Sequence, residues 1–343
     1  MGVGKQKIAE CVRPHGMLVG LTTMDAKTAG TTEGSFLKAP IVIALVLSLL
    51  LVVGVLIGAK MVYNSAATQP VSMSVLNSPY ADSAECADLI DSLPEEFLGH
   101  QRAELVEPKP SGAAAWQSNS QERITLRCGV DLPLQYTALS PTTHVDGVEW
   151  LRVVDTTPQS TMQSWYTVNR FPVVAISTDA LGLGDQEFSS AALSGALSAL
   201  KEQEATPYAL PLDQVAATQP APDSCQALAD ALPATIGENP AYARYEGDAA
   251  GDLTAAWTAD GYESIEIRCG VDFPASYAAG AQLQQINDVT WFEDTTVGNG
   301  TTASTWFALG RETVVAVSVP QASGNAALVE FSKAIEETLA ATD

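Results

Sequence analysis

The sequence predicts an α+β protein with a single transmembrane helix followed by two tandem two-layer modules. In each module we expect an antiparallel sheet with helices packed on one face and one disulfide. Two observations lead to this fold class. The heptapeptide RCGVDLP at residues 127–133 recurs as RCGVDFP at residues 268–274, and an uncharged apolar run at residues 41–59 precedes both copies. The chain is therefore predicted to be a membrane-anchored, duplicated module.

The apolar run predicts one membrane-spanning helix at residues 39–62, because crossing a hydrocarbon core takes about 20 helical residues. Basic residues are frequent before the run, whereas after Lys60 the next is Arg102. This bias predicts a cytoplasmic tail at residues 1–38 and an exported remainder. Met24 is an alternative start, in which case residues 1–23 are not translated. A retained signal anchor is favoured over a cleaved signal peptide because the run exceeds the usual length of an h-region.

Acidic residues dominate the part of the chain after the predicted helix. Only three of the 40 acidic residues precede it, which leaves 37 acids against 11 bases. Such a charge would repel a phosphate backbone, so nucleic acid is excluded as a partner. Solubility of an exposed domain explains this charge better than a dedicated acidic binding surface does.

Four of the five cysteines fall after the helix, one pair in each repeat. In an oxidising compartment this placement predicts two disulfides, Cys86 with Cys128 and Cys225 with Cys269. A zinc site lacks the close Cys-x-x-Cys spacing. No cofactor is indicated.

The repeats define the predicted domains. A linker at residues 63–81 precedes a first module at residues 82–204, and a Pro- and Ala-rich linker at residues 205–221 precedes a second module at residues 222–343. Each module is large enough to bury a core of its own.

The order of elements matches between the copies. Apolar residues at helical spacing after Cys86 and Cys225 predict an opening helix that ends before proline. Alternation from Ile124 and from Ile265 predicts a strand with its cysteine on the buried face. Further strands are predicted at residues 148–155, 164–169 and 173–177, and at residues 289–294, 305–309 and 314–319, with tight hairpins at residues 169–170 and 310–311. Each module is expected to close with a helix.

Several of these motifs together resemble one family. Each copy has a Cys-x-x-Leu-x-x-x-Leu-Pro start, a lone tryptophan, an Arg-Cys-Gly-Val-x-x-Pro strand and a downstream Val-x-Trp. This combination resembles the DUF3515 family, whose members are membrane-anchored or secreted actinobacterial proteins without an assigned activity, usually with one such module. The resemblance implies an actinobacterial cell envelope and supplies no catalytic residues.

Candidate binding residues occupy matching positions in the two copies. Arg127 and Asp131, and equally Arg268 and Asp272, are predicted on the strand face away from the core, as an exposed ion pair or a ligand-facing patch. Gly129 and Gly270 are expected at a bulge or a close approach of two backbones.

Further candidates are aromatic residues and arginines at turns. Trp116 and Trp257 are expected to be more exposed than the other tryptophans and could stack on a sugar or anchor an interface. The other four, Trp150, Trp165, Trp291 and Trp306, are expected in the core. Arg170 and Arg311, predicted at hairpin turns, are the arginines we would choose for an anionic glycan or a carboxylate.

Catalytic chemistry is not indicated. His100 aligns with Asn239 and His144 with Gln285, so the copies share no histidine, and no nucleophile elbow is present. We expect a non-enzymatic, single-pass envelope protein whose extracytoplasmic modules bind an envelope protein or a cell-wall polymer. A cell-wall hydrolase or transferase with an unrecognised carboxylate site is the alternative.

Overall fold

The computed structural model of the chain describes residues 38–67, 69–217, 221–297 and 300–342. They belong to two units, residues 1–57 and residues 58–343. Helix α1, Lys38–Ala67, begins in the first unit, and its segment Pro40–Val62 is long and apolar enough to cross a membrane, with a mean hydropathy of 3.2. The predicted tail before Lys38 lies outside the described residues.

The first module opens with α2, Ala84–Ser92, and builds an eight-stranded antiparallel sheet. Its strands are β1 Glu96–Phe97, β2 His100–Ala103, β3 Ala113–Gln117, β4 Arg123–Cys128, β5 Thr142–Val145, β6 Val148–Val154, β7 Gln163–Thr167 and β9 Val174–Thr178. Their order across the sheet is β1-β2-β3-β4-β9-β7-β6-β5. The strand β8, Arg170–Phe171, pairs with β10, Lys201–Glu202, and the short helices α3 Ala180–Leu183 and α4 Ser194–Ser198 lie between them in the chain.

The second module repeats this topology. It opens with α5, Ser224–Ala231, and closes with α6, Ala326–Thr338. Its strands are β11 Thr235–Ile236, β12 Tyr242–Arg244, β13 Ala255–Thr258, β14 Ile265–Val271, β15 Leu283–Ile286, β16 Val289–Asp294, β17 Ala303–Leu309 and β18 Val314–Pro320. The order β11-β12-β13-β14-β18-β17-β16-β15 matches the first sheet position for position.

The predicted fold class is confirmed by the way the cores assemble. In the first module the buried residues of β4, namely Ile124, Leu126 and Cys128, form one apolar cluster with residues of α2 and α4. The sheet alternation predicted from sequence therefore places one face against the helices. Both predicted disulfides are present, and Cys86–Cys128 and Cys225–Cys269 each join the opening helix to the central strand.

Several details differ from the sequence prediction. Strands β1, β2, β3 and β5 were not predicted. Strands β1, β2 and β5 are short, and Ala-rich β3 lacks β-branched residues and shows no alternation of burial. The connection after β7 is not a tight hairpin, because residues 168–173 include β8, which pairs with β10. In the first module the predicted closing helix is reduced to a 3₁₀ turn, Ala191–Leu193, and the five-residue α4 that follows it directly.

Candidate functional site

The repeated arginine of the RCGV motif holds the chain segment that leads into its own module. Arg127 Nη2 donates to the carbonyl oxygen of Ser74 at 2.7 Å. Arg268 Nη1 donates to the carbonyl oxygens of Leu212 at 3.1 Å and Val215 at 3.0 Å. The same residue therefore has the same role in both copies, and this role is structural.

The expectation that Arg268 faces solvent is wrong, because its exposed fraction is only 9%. The segment containing Leu212 covers the outer face of the second sheet, the face opposite the helices. The nearest paired carboxylate belongs to Asp252, 3.6 Å away, rather than to Asp272 four residues along the strand. Asp272 and Asp131 are both exposed.

The glycine of the same motif is required by a close approach, as predicted. Gly129 has φ +81°, and a Cβ atom there would lie 2.3 Å from the carbonyl carbon of Tyr80. The Tyr80 N–H donates to the Gly129 carbonyl oxygen at 3.1 Å. Gly270 has φ +77° and lies in a β-bulge between Cys269 and Val271. Only glycine enters this backbone conformation without strain.

The segment between the modules is anchored to the second sheet by a buried carboxylate. The Leu212 N–H donates to Glu266 Oε2 at 3.2 Å, and the Ser264 hydroxyl donates to Oε1 at 3.0 Å. Burial raises the pKa of Glu266 to about 7, the nearby Asp213 also raises it, and the two hydrogen bonds lower it. The first module has Thr125 at this position, so the sequence repeat gave no signal for the site.

The two predicted arginine anchors at turns also bind backbone. Arg170 Nη2 donates to the Gly147 carbonyl oxygen at 2.9 Å, and Arg311 Nη2 donates to the Asp288 carbonyl oxygen at 2.7 Å. Gly147 and Asp288 occupy the same place in the two modules, at the turn before β6 and β16. These arginines therefore fix a turn in each copy, and nothing brings them to Arg127 or Arg268.

The expectation that Trp116 and Trp257 are exposed is wrong. Both side chains are 0% exposed, and each indole N–H donates to the carbonyl oxygen of the proline that follows the opening helix, at 3.0 Å and 2.9 Å. They are thus core residues that fix the end of that helix. Trp150, Trp165 and Trp291 are buried as expected, and Trp306 packs against the second core while partly buried.

Sequence reasoning missed a second matched arginine pair, Arg102 and Arg244. Each lies directly opposite the lone tryptophan on the neighbouring strand. Arg244 donates to the Ala229 carbonyl oxygen from both Nη atoms at 3.1 Å. Arg102 makes a longer bond, 3.4 Å to the Ile90 carbonyl oxygen, and its guanidinium lies 5.0 Å from the centre of the Trp116 ring. Their similar spacing before Trp116 and Trp257 was the signal available in the sequence.

Arg102 lines an open cavity of about 790 Å³ in the first module. The cavity lies between α2, β2 and the loop at residues 104–112. Lys109 supplies a second cation, and four carboxylates complete the charged lining, Asp82, Asp91, Glu104 and Glu107. Burial lowers the pKa of Arg102, while Glu95 and Asp91 raise it. This mixture of donors and acceptors suits a polar ligand rather than an apolar one.

A metal centre is not indicated by the geometry. Within the residues that the structure describes, no group of three or more His, Cys, Asp or Glu side chains is arranged to hold a metal ion. His100, the buried histidine, is held by the Ser118 hydroxyl at 2.7 Å and by the Gly182 carbonyl oxygen at 2.6 Å.

The model of a family described as a protein of unknown function, DUF3515, matches the chain twice, at residues 45–205 and 191–343. The chain belongs to the DUF3515 family. No curated protein and no solved structure matches it.

Comparison of the two DUF3515 copies separates their shared structure from their differences. The disulfide, the turn arginine and the buried tryptophan have corresponding partners in both copies. The motif arginine binds the incoming segment in both copies but is more deeply buried in the second, and the motif glycine has a positive φ in both. The loops after β2 and β12 differ. In the second DUF3515 copy, Tyr245 and Leu253 of this loop pack around Leu210 of the intermodule segment. In the first copy the loop borders the cavity instead.

Proposed function

We propose that this DUF3515 protein is a non-enzymatic, membrane-anchored binding protein of the cell envelope. Its N-terminal tail lies in the cytoplasm, and its two modules lie outside the membrane, where they bind an envelope protein or a cell-wall polymer. The apolar segment Pro40–Val62 supports anchoring, and two disulfides support an oxidising compartment.

The observation that carries the proposal is the charged cavity of the first module. Among the described residues, the guanidinium of Arg102 donates one hydrogen bond, to the Ile90 carbonyl oxygen at 3.4 Å. A guanidinium has five N–H donors, so several remain for a ligand. The exposed side chain of Lys109 adds a flexible cation at the rim. Carbonyl, carboxylate or hydroxyl oxygens of a partner would meet these donors.

Binding is favoured over catalysis because the repeated polar side chains are already engaged with backbone. Arg127 and Arg268 hold the incoming segments, Arg170 and Arg311 hold turns, and Glu266 holds Leu212. A catalytic group would need to touch the reacting atoms instead. The duplication therefore serves the architecture of the modules.

The two modules also form one continuous unit, which suits presentation of a binding surface. The Val154 N–H of the first module donates to the Gly261 carbonyl oxygen of the second at 2.9 Å. Arg152 Nη1 lies 2.7 Å from Asp260 Oδ2. The intermodule segment contacts both sheets, since Ala205 packs on the cluster that contains Leu151 of β6 and the Leu212 N–H donates to Glu266 of β14. Two binding surfaces on such a unit would be held at a fixed separation.

Photo-crosslinking in intact cells tests this proposal. A photoreactive amino acid replaces Lys109 at the cavity rim, and the matched control carries it at Lys333, an exposed lysine on α6. We expect a reproducible crosslinked partner from position 109 and not from position 333. The absence of any product, or the same products at both positions, would contradict the proposal.

A turnover assay separates binding from the hydrolase alternative. The purified chain is incubated with envelope fractions, and the variants Asp91→Asn and Glu104→Gln are compared with the unchanged protein. We expect no turnover by any of them. Turnover that disappears in either variant would assign the cavity to catalysis.

A further inference from the structure

On the first module, part of the outer sheet face is covered by the chain's own segment 205–208. The Ala205 N–H donates to the Val168 carbonyl oxygen at 2.8 Å, and the Tyr208 N–H donates to the Tyr136 carbonyl oxygen at 2.8 Å. Ala205 packs on an apolar cluster formed by Tyr136, Leu151 and Val168. The Tyr208 hydroxyl reaches the Leu132 carbonyl oxygen at 3.4 Å. Backbone hydrogen bonds and apolar contacts therefore hold an extended peptide on the outer face of the first sheet.

The second module has the same surface in the same register. Thr342 N–H donates to the Gly310 carbonyl oxygen at 3.0 Å, as Gln203 N–H donates to that of Asn169 at 3.2 Å. The second module also has apolar residues at the positions that contact segment 205–208 in the first module. They are Phe273 for Leu132, Tyr277 for Tyr136, Phe292 for Leu151 and Leu309 for Val168. Beside them, Leu283 pairs with Phe292 at the position where Thr142 pairs with Leu151 in the first module.

Part of this second surface is open in the described part of the chain, although Phe292 and Leu309 are themselves buried. Phe273 is 56% exposed and Leu283 is 44% exposed, whereas Leu132 and Thr142 are half-buried. Tyr136 is buried and Tyr277 only half-buried. Among the described residues, no backbone N–H donates to the Tyr277 carbonyl oxygen, the acceptor that corresponds to the partner of Tyr208. Aromatic edge contacts join Phe273, Tyr277 and Phe292 into one ladder, with ring centres 5.2 and 5.3 Å apart.

We propose that the outer groove of the second module, formed by Phe273, Tyr277 and Leu283, binds an extended segment of a partner protein. The segment has the chemistry of residues 205–208, a small apolar residue followed three residues later by an aromatic one. The inference rests on the proposed binding function and assigns a polypeptide to this surface. The groove is the counterpart of the surface on which the first module already binds segment 205–208 of the same chain.

Charge and geometry define the partner further. Asp272 adjoins Phe273, and the chain after α1 has 37 acids against 11 bases, so the segment is neutral or basic. An aromatic side chain fits beside the Phe273 and Tyr277 rings, which favour edge contacts. A backbone N–H of the partner segment donates to the Tyr277 carbonyl oxygen, as in strand addition to a sheet.

Peptide binding to the full chain in lipid nanodiscs tests the inference. The probe is a fluorescent synthetic peptide, ATPYAL, with the sequence of residues 205–210. We expect saturable binding with a Kd on the order of 1 mM or tighter. The tethered segment of the first module has an effective concentration of that order, and it stays bound only if its Kd is no higher than this concentration. Leu283→Asp should weaken binding at least tenfold, and the peptide ATPAAL should bind at least tenfold more weakly.

Two controls keep the result interpretable. Thr142→Asp places the same charge at the corresponding position of the covered surface and should leave binding unchanged. Fusion of ATPYAL after Asp343 should fill the groove and abolish binding of the free peptide. The thermal midpoint of Leu283→Asp should equal that of the unchanged protein, and Phe273→Ser replaces this variant if it does not.

The inference is overturned if the peptide does not saturate, or if Leu283→Asp and Thr142→Asp bind it equally. It is also overturned if wall polysaccharide fragments, and not the peptide, bind in a way that Leu283→Asp abolishes. If the peptide does not bind but crosslinking at Lys109 still recovers a partner, the inference about the groove is wrong and the proposed binding function stands. Failure of both experiments would remove both.

Discussion

The carboxylate of Glu266 accepts a hydrogen bond from the backbone N–H of Leu212 at 3.2 Å, and both side chains are completely buried. The contact fastens the intermodule segment to the centre of the second sheet. The segment is therefore part of the folded unit rather than a free tether. A buried carboxylate is costly to ionise, so this contact couples the stability of the segment to pH.

We predict that Glu266 makes the protein less stable as pH rises from about 4.5 to about 7. Burial raises the pKa of Glu266 from 4.5 to about 7 in the folded chain. Between these values the folded state binds more protons than the unfolded state, so the free energy of unfolding falls with pH. The whole loss is ~3 kcal/mol and is complete above pH 7.

The variant Glu266→Gln isolates this effect, because glutamine keeps a carbonyl oxygen for Leu212 but cannot ionise. Thermal midpoints of both proteins are measured in detergent from pH 4 to pH 8. We expect similar midpoints at pH 4 and a higher midpoint for the variant at pH 8. A difference that is independent of pH would contradict the prediction, since other titrating groups act equally in both proteins.

We predict that the two motif arginines differ in their contribution to stability. Arg268→Met leaves two carbonyl oxygens, those of Leu212 and Val215, without their buried donor and should cost about 2 kcal/mol. Arg127→Met removes one exposed bond to Ser74 and should cost about 0.5 kcal/mol. Amide hydrogen exchange at residues 210–217 should accelerate in the first variant. Equal losses in the free energy of unfolding would show that the burial of Arg268 does not increase its contribution to stability.

We predict that Gly129→Ala is the most damaging of three glycine substitutions. Its Cβ would overlap the Tyr80 carbonyl carbon, at 2.3 Å, whereas at Gly270 the nearest atom is Pro222 Cδ at 3.2 Å. Gly147→Ala is the control, because it has φ +82° and open space around it. Expected losses in thermal unfolding experiments are about 3 kcal/mol or more for Gly129 and about 1 kcal/mol for Gly147. Gly270 should fall between them.

We predict two disulfides, each confined to one module, in protein extracted from its own membrane. Peptide mapping by mass spectrometry after alkylation should recover Cys86 with Cys128 and Cys225 with Cys269. Their sequence separations are 42 and 44 residues. Each bond should stabilise its module by about 4 kcal/mol on the chain-entropy model. Free thiols, or links between the modules, would refute the compartment and the division into modules.

The fold was largely predictable because its signals are local. Alternation at Ile124–Cys128 and at Ile265–Cys269 identified the central strands, and helical spacing at Cys86 and Cys225 identified the opening helices. The strands that escaped prediction are short or Ala-rich, as in Ala113–Gln117, and form because neighbouring strands pair with them. Pairing of this kind is a tertiary effect that overrides propensity.

The candidate site was predictable only in part. The residue types of the motif were correctly chosen, but Trp116 and Trp257 are buried, and Arg268 lies under a segment that the sequence marks only as Pro- and Ala-rich. Arg102 and Glu266 were missed, because their importance comes from what covers them. Exposure depends on the whole fold rather than on the alternation of one strand.

The sequence by itself determined the apolar helix, the duplication, the pairing of cysteines and the two-layer architecture, since each follows from the spacing of apolar residues and cysteines along the chain. Tertiary structure alone decided that the intermodule segment packs on both sheets and that the second outer groove stays open in the described residues. These properties depend on contacts between residues far apart in the chain, such as Tyr136 with Tyr208 and Leu212 with Glu266, which no local pattern records.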